Sequence, residues 1–385
     1  MHLEKTDSIN RPKNVALIEL SMSHSETLHG QIHFLAESGH NVHLITNKHV
    51  LSLIEEKNRL SGTYVSKRGW RKAFEFFRIR RYIRKHNISH IVVNTPNKMA
   101  SMLFLFPFRK VNCTCLVHNG KDFFESGGRS RRKLFQKIML RRIRKFFVLS
   151  EYMKNALSGF TTKNNLKLED LLQFYYPKFN SLPSIKKTAN EFWIVVPGSV
   201  ESKRRDYVGL LDAIRQEPLH PSIKLIILGR YKQEIFPEFQ TLLDETGLEG
   251  KQIITFGNEF VSNEMFHSYV QQSDLILPLM YPSGSEKDIF DRYKFSGTFN
   301  ISFGYKTPML LDQSFNDFED LKICSFFHET GGLVKTINAF PNRKQDLEII
   351  HQNMLMNPRF DLQYQMKKYV DFIINESPES QKTVT

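Results

Sequence analysis

Short apolar, β-branched runs alternate with helical patterns from one end of the chain to the other, the pattern of α/β proteins built on parallel sheets. In the first half, Val15–Leu20, Val42–Thr46, His90–Asn94, Thr114–His118 and Phe146–Leu149 predict strands, with a weaker one over Leu172–Tyr175. The stretch Asn180–Asn190, with Ser181, Pro183, Ser184 and two lysines, breaks the pattern and reads as a linker. The series then restarts with Phe192–Val196, Lys224–Leu228, Ile253–Phe256, Leu275–Leu279 and Met309–Asp312 as strands. Asp206–Arg215, Phe239–Thr246 and Phe299–Tyr305 predict helices between them. A last helix over Leu362–Ile374 precedes a polar tail from Asn375. The expected architecture is two doubly wound, Rossmann-like domains, residues 1–183 and 190–361, with 362–385 as an appended helix and tail. Two such domains facing each other leave a cleft between them, at the strand ends where these sheets take ligands.

Two helical patterns in the first half are basic. From Trp70 to Ile83, Trp70, Phe74, Phe77 and Tyr82 or Ile83 recur at near-helical spacing, while Arg71, Arg78 and Lys85 lie seven apart on another face. From Arg131 to Phe147, Lys133, Lys137, Arg141 and Arg144 form one stripe and Phe135, Ile138, Met139 and Ile143 the other. Such helices are either solvated faces over ordinary core or functional surfaces. The distribution of charge favours the second. The chain carries +14 overall, but residues 66–147 alone hold 22 Lys and Arg against 3 Asp and Glu, a balance of +19. Residues 186–385 hold 22 against 27, a balance of −5. A local excess of this size calls for an anionic partner. Lipid headgroups contribute about 1 kcal/mol per basic residue near the surface, and nucleic-acid phosphates are the competing class. No helix-turn-helix, RRM, KH or zinc-finger pattern is present to support nucleic acid.

Hydrophobic residues at 41% and charged residues at 24% are globular values. Three cysteines, Cys113, Cys115 and Cys324, are too few for a disulfide framework and fit a reducing compartment. Cys113 and Cys115 alternate in an apolar run with no further cysteine at ligand spacing, which speaks against a zinc site. The first 14 residues have no apolar core of a signal peptide. Met99–Phe108, broken by Ser101 and Pro107, is half of the ~20 residues that a membrane span requires. The expectation is a cytoplasmic protein, soluble or peripheral on a membrane.

The first strand runs into Ser21-Met22-Ser23-His24-Ser25-Glu26 without a G-x-G-x-x-G turn, which disfavours a nicotinamide or flavin cofactor. His24 and Glu26 are candidates for the acceptor side of a site, or simply polar loop and capping residues. The second domain opens with Pro197-Gly198-Ser199 and three cations, Lys203, Arg204 and Arg205, a turn suited to a diphosphate. Gly229-Arg230 and Phe256-Gly257-Asn258-Glu259 follow the next two strands at the same sheet edge. Ser296-Gly297-Thr298 at a helix start offers free N–H groups and hydroxyls to an anion, or is only an N-cap.

With Gly39-His40-x-Val42, His118-Asn119, Val148–Tyr152, Gly198–Arg205, Ile227–Gly229, Phe256-Gly257, Ser273–Pro278 and Gly304–Pro308 in this order, the chain resembles the GT-B glycosyltransferases, and among them the group-1, family-4-like enzymes of bacterial surface polysaccharide synthesis. It departs from them where the family carries two glutamates eight apart: Tyr293 and Ile301 stand there. Gly198-Ser199 replaces the family's Gly-Arg.

The resemblance implies a nucleotide-sugar donor on the second domain. Gly198, Ser199, Lys203, Arg204, Arg205, Ser296, Gly297 and Thr298 would neutralise its diphosphate without a metal. Gly229, Arg230, Phe256, Gly257 and Glu259 would line the nucleoside. His118 would be the catalytic residue facing the donor sugar, unless it is a satisfied core histidine. The nucleotide-sugar is a substrate, so no cofactor is implied. The acceptor would be a glycan, linked to polyprenyl diphosphate at the inner face of the cell membrane. Arg71, Arg78, Lys133, Lys137, Arg141 and Arg144 would face that membrane, and retention of configuration follows by family analogy. The alternatives are a sugar-nucleotide 2-epimerase of the same architecture, a basic nucleic-acid-binding protein, and a two-domain carbohydrate-binding protein.

Overall fold

The computed structural model describes residues 11–22, 24–66, 72–96, 111–124, 139–177, 179, 181–232, 234, 236–287 and 292–374. Trp70, Arg71, Lys133, Phe135, Lys137, Ile138, the run Met99–Phe108 and the tail from Asn375 lie outside them. The chain divides into two compact units, Met1–Pro177 together with Leu362–Thr385, and Lys178–Asp361.

The first unit is built on seven parallel strands: β1 (Asn14–Glu19), β2 (Asn41–Asn47), β3 (Leu60–Ser66), β4 (His90–Val93), β5 (Asn112–Val117), β6 (Lys145–Val148) and β7 (Lys167–Asp170), in the order β3-β2-β1-β4-β5-β6-β7. The second has six: β8 (Phe192–Pro197), β9 (Ile223–Leu228), β10 (Ile253–Ile254), β11 (Leu275–Ile276), β12 (Met309–Asp312) and β13 (Ser325–His328), in the order β10-β9-β8-β11-β12-β13. Both follow the doubly wound order, in which the strand sequence reverses beside the first strand. That reversal falls between β1 and β4 in one sheet and between β8 and β11 in the other.

Helices cover both faces of a parallel sheet, so its central strands read as unbroken apolar runs. Val15 to Ile18 in β1 and Ile194 to Val196 in β8 are almost wholly buried, each large side chain contributing about 1.5–3 kcal/mol. The helix Glu26–Glu37 buries Leu28, Ile32 and Leu35. The last helix, Leu362–Ile374, lies at its predicted place and belongs to the first unit. Its Tyr369 is fully buried between Phe34 and Phe147 and donates to Gln31 Oε1 at 2.9 Å. Lys368 pairs with Glu169 (3.1 Å) and Asp170 (3.0 Å), anchoring the helix to the edge strand β7.

Several expectations are corrected. Leu172–Tyr175 is not a strand. The edge strand is the more polar β7, and the residues Leu171–Phe174 that follow it are buried, Leu171 N–H donating to Val148 O at 2.8 Å and Leu172 N–H to Gln365 Oε1 at 3.3 Å. β3 and β13, both edge strands, were not anticipated. The strands foreseen at Ile253–Phe256 and Leu275–Leu279 pair over two residues each. The amphipathic pattern over Arg131–Phe147 does not continue as a helix: the chain leaves it after Arg142, and β6 begins at Lys145.

Candidate functional site

At the first sheet's reversal, β1 ends on Glu19, while Asn94 and His118 follow the last residues of β4 and β5. Three residues singled out in the sequence meet at this edge. The rings of His24 and His118 stack with centroids 3.8 Å apart and planes 18° apart. His24 Nδ1 lies 3.3 Å from Glu26 Oε1. His24 holds a left-handed backbone (φ 66°), which costs a non-glycine residue about 1–2 kcal/mol. Its carbonyl accepts from Thr27 Oγ1 (2.9 Å) and Asn94 Nδ2 (3.0 Å), contacts that help keep it there.

Below the two histidines lies a buried network that sequence reasoning missed. The fully buried Glu19 carboxylate accepts from Ser21 N (2.7 Å), Asn94 Nδ2 (2.7 Å) and Thr95 Oγ1 (2.6 Å). Asn94 Oδ1 accepts from Thr27 Oγ1 (2.8 Å) and Gln31 Nε2 (2.6 Å). Every side-chain polar atom of Asn94 is used, so the residue is locked in one orientation. The available signal was an acidic residue closing an otherwise apolar run.

His118 Nε2 lies 2.9 Å from the Asn94 carbonyl. A carbonyl only accepts, so Nε2 carries the proton and Nδ1 presents its lone pair. Burial pushes the His118 pKa down to about 3, with the charge of His24 acting in the same direction. The ring is therefore neutral at physiological pH.

The second sheet's reversal is organised by Arg205. Its guanidinium donates to Pro197 O (2.6 Å), Thr298 Oγ1 (3.2 Å), Pro278 O (3.2 Å) and Ser199 O (3.3 Å). It thus ties the end of β8, the segment after β11 and the start of the helix Gly297–Tyr305 into one edge. Gly198 lies at φ 105°, and a Cβ there would stand 2.8 Å from Arg205 Nη2. At Gly229 a Cβ would stand 1.9 Å from the Gly198 carbonyl oxygen, so the two turns pack backbone on backbone. Ser296 is the N-cap, accepting from Thr298 N at 3.4 Å, and both side chains are buried. Gly297 is exposed at the first helical position. In the same turn, Asn300 Oδ1 is buried with no hydrogen-bond partner among the described residues.

The other second-unit candidates separate. Lys203 and Arg204 are exposed, and Arg204 Nε pairs with Glu201 at 2.9 Å. Arg230 Nε donates to Asn258 Oδ1 (3.0 Å) and Tyr231 N to Gly257 O (2.8 Å), joining the turns after β9 and β10. Glu259 is exposed in that second turn. Phe256 packs edge-on against Tyr269 (5.6 Å) in a small apolar cluster with Trp193 and Val195.

Of the basic residues, Arg78 is half exposed with Nη1 3.9 Å from Glu75 Oε2. Arg141 is exposed in the last helical turn before β6, and Arg144 Nη1 donates to Asn164 O at 2.9 Å. Among the described residues no helix is long and apolar enough to cross a membrane, and no three His, Cys, Asp or Glu side chains come together to hold a metal ion.

Two doubly wound parallel sheets, each with a polar edge at its strand reversal, define the GT-B class of fold. Residues 26–165 match a family model described as Glycosyltransferase Family 4. The chain is similar in structure to a glycosyltransferase from Rickettsia africae (13% identity, TM-score 0.65, covering 94% of this chain and 97% of that one). It is likewise similar to Anabaena HepE in complex with UDP-glucose (12%, 0.64, 93% and 98%). A Listeria monocytogenes protein described as a candidate UDP-N-acetylglucosamine 2-epimerase also matches (12%, 0.61, 94% and 95%). No curated protein matches the chain. The expected fold is thereby borne out: a GT-B architecture, divergent in sequence, with a family-4 glycosyltransferase match over part of its first unit.

Proposed function

We propose that this protein is a metal-independent glycosyltransferase that moves a sugar from a nucleoside-diphosphate donor to a glycan acceptor. The acceptor is lipid-linked, and the reaction serves surface polysaccharide synthesis on the inner face of the cell membrane. The observation that carries the reading is the Arg205 edge of the second unit. There a guanidinium, a glycine turn and the start of the helix Gly297–Tyr305 stand together at the strand reversal, where doubly wound sheets bind nucleotides. The family-4 match over residues 26–165 supports it independently.

In this reading charge develops on the departing diphosphate. Fixed N–H dipoles and the guanidinium stabilise that charge without reorganising. Lys203 adds a solvent-facing cation beside the turn. His118, neutral and with its proton on Nε2, offers Nδ1 as an acceptor for a hydroxyl of the donor sugar. Glu26 and His24 hold the acceptor side, and the sugar keeps its anomeric configuration.

The test is a thermal-shift and turnover experiment with UDP and a panel of nucleotide-sugars. A ligand at a hundredfold its Kd stabilises by about 2.7 kcal/mol, a shift well within detection. Stabilisation by a nucleoside diphosphate and transfer to a glycan acceptor are expected. No stabilisation by any nucleoside diphosphate overturns the reading, and release of a 2-epimer without transfer replaces it with the epimerase.

A further inference from the structure

We propose that Asn300 sets the specificity of the donor site, its side-chain oxygen accepting a hydrogen bond from a sugar hydroxyl beside the diphosphate. This rests on the glycosyltransferase reading above and adds a residue that the sequence did not single out. The helix Gly297–Tyr305 buries Thr298, Phe299, Asn300, Ser302 and Phe303, and its other polar side chains have partners. Ser296 Oγ, at the N-cap, accepts from Thr298 N–H. Thr298 Oγ1 accepts from Arg205 Nη2 at 3.2 Å. Ser302 Oγ donates to Thr307 O at 2.6 Å, and Tyr305 OH meets His267 Nδ1. Asn300 is 3% exposed, yet its Oδ1 has no partner among the described residues.

Buried polar atoms are almost always hydrogen-bonded, and one left over needs a cause. The place of Asn300 in the helix supplies it. Helical side chains lean toward the N-terminus and share a face with the residue three before, which for Asn300 is Gly297. Gly297 is exposed, and a Cβ built on it meets no atom within 4 Å. The first N–H groups of a helix lack partners within it and attract anions. Open space, free donors and one spare acceptor thus adjoin at a single turn. Donors alone would take any phosphate. The spare acceptor calls for a ligand that also carries a hydrogen-bond donor. In a nucleotide-sugar, hydroxyls flank the diphosphate on both sides, on the ribose and on the sugar to be transferred. The acceptor is a neutral amide in a turn without acidic residues, so it takes a hydroxyl without repelling the phosphates. A ligand lacking that hydroxyl would leave the amide unpaired, which is how a polar site rejects an analogue.

The experiment measures calorimetric affinity and melting temperature on the full chain, wild type and Asn300→Leu, which keeps the side chain's size and removes both polar atoms. The probes are inorganic pyrophosphate, the tightest binder among UDP, ADP, GDP and CDP, its 2′- and 3′-deoxy analogues, and its glucose conjugate. Asn300→Leu is expected to bind the glucose conjugate roughly tenfold more weakly, the worth of one neutral hydrogen bond, and pyrophosphate as before. A loss already present with the nucleoside diphosphate, and absent with one of its deoxy analogues, places the hydroxyl on the ribose. A loss confined to the glucose conjugate places it on the transferred sugar. The melting temperature without ligand is expected to hold or rise, because a buried atom without a partner gives way to carbon. A lower melting temperature with every affinity unchanged overturns the proposal, since Asn300 is then structural. Equal losses for pyrophosphate and the glucose conjugate overturn it as well. If Asn300→Leu does not fold, Asn300→Ala, which adds no bulk, carries the same comparison. Wild-type protein that binds none of the four nucleoside diphosphates refutes the glycosyltransferase reading and this proposal with it. Tight wild-type binding that neither variant weakens refutes the role of Asn300 alone.

Discussion

Glu19 and Asn94, 75 positions apart, meet side chain to side chain at 2.7 Å, the buried carboxylate oxygen accepting from the amide. Through the Asn94 backbone carbonyl the same residue fixes the proton of His118 on Nε2. Two strands that are neighbours only in the folded sheet therefore decide which nitrogen His118 offers. Asn94→Asp would place a second carboxylate against the buried Glu19. A loss of about 3–5 kcal/mol in urea unfolding is expected from an uncompensated buried charge. Wild-type stability in this variant removes the network from its structural role.

Arg204 and Arg205 are adjacent and chemically identical, yet their surroundings separate them. Arg205→Lys keeps the charge and loses the fork that reaches four acceptors. It is expected to cost about 1–3 kcal/mol of stability and to weaken UDP binding by calorimetry. Arg204→Ala removes an exposed pair with Glu201 and is expected to change stability by less than about 1 kcal/mol. Equal effects of the two substitutions would contradict the tie at the strand reversal.

Two glycine substitutions should move stability in opposite directions. Gly229→Ala drives a Cβ to 1.9 Å from backbone and is expected to cost about 3 kcal/mol, at the high end for single substitutions. Gly159 lies exposed inside the helix Glu151–Lys163 with nothing within 4 Å of its added Cβ. Gly159→Ala is expected to gain about 0.5–1 kcal/mol from helix propensity. Thermal or urea denaturation of both variants reads the difference in sign.

His90 is buried against Ser89 Oγ and Asn112 Nδ2, and burial pushes its pKa down to about 4. With His118 near 3 against an ordinary value of 6.5, both bind protons more weakly in the folded chain than in the unfolded one. Their neutral state is stable above pH 6.5, and folding free energy is lost as pH falls from there toward 4. The slope approaches about 1.4 kcal/mol per pH unit for each histidine. Urea unfolding across this window measures it, and His90→Gln should flatten it. An unchanged slope in that variant refutes the assignment.

The central strands were legible because burial on both faces leaves contiguous apolar letters, as in Val15–Ile18 and Ile194–Val196. The edges were not. β3 alternates between half-buried and exposed positions, and β7 is nearly all polar, so neither writes a run. Leu171–Phe174 shows the converse error: buried, largely apolar residues that follow the edge strand instead of forming one, with Leu172 N–H bonded to Gln365 of the helix Leu362–Ile374. At the site, His24, Glu26 and His118 were recognisable one at a time from their places after strands. Their convergence was not, because it depends on β1 lying beside β4 and β4 beside β5. Glu19 hid as the last letter of an apolar word. Phe256 stood next to a plausible nucleotide turn, and packing with Tyr269 decided its surroundings.

The helix Leu362–Ile374 completes a unit whose other residues end at Pro177. Ribosomes add about 5–20 residues per second, so the first sheet emerges on the order of ten seconds before the helix that buries Tyr369 and seals Phe34 and Phe147. Over that interval the nascent first unit exposes an apolar face that only the far end of its own chain can cover. Ribosome-arrested chains stopped before Leu362 should be cleaved in the first unit by proteases that spare it once Ile374 has emerged. A cell making this protein must therefore shelter an unfinished domain while the second is being built.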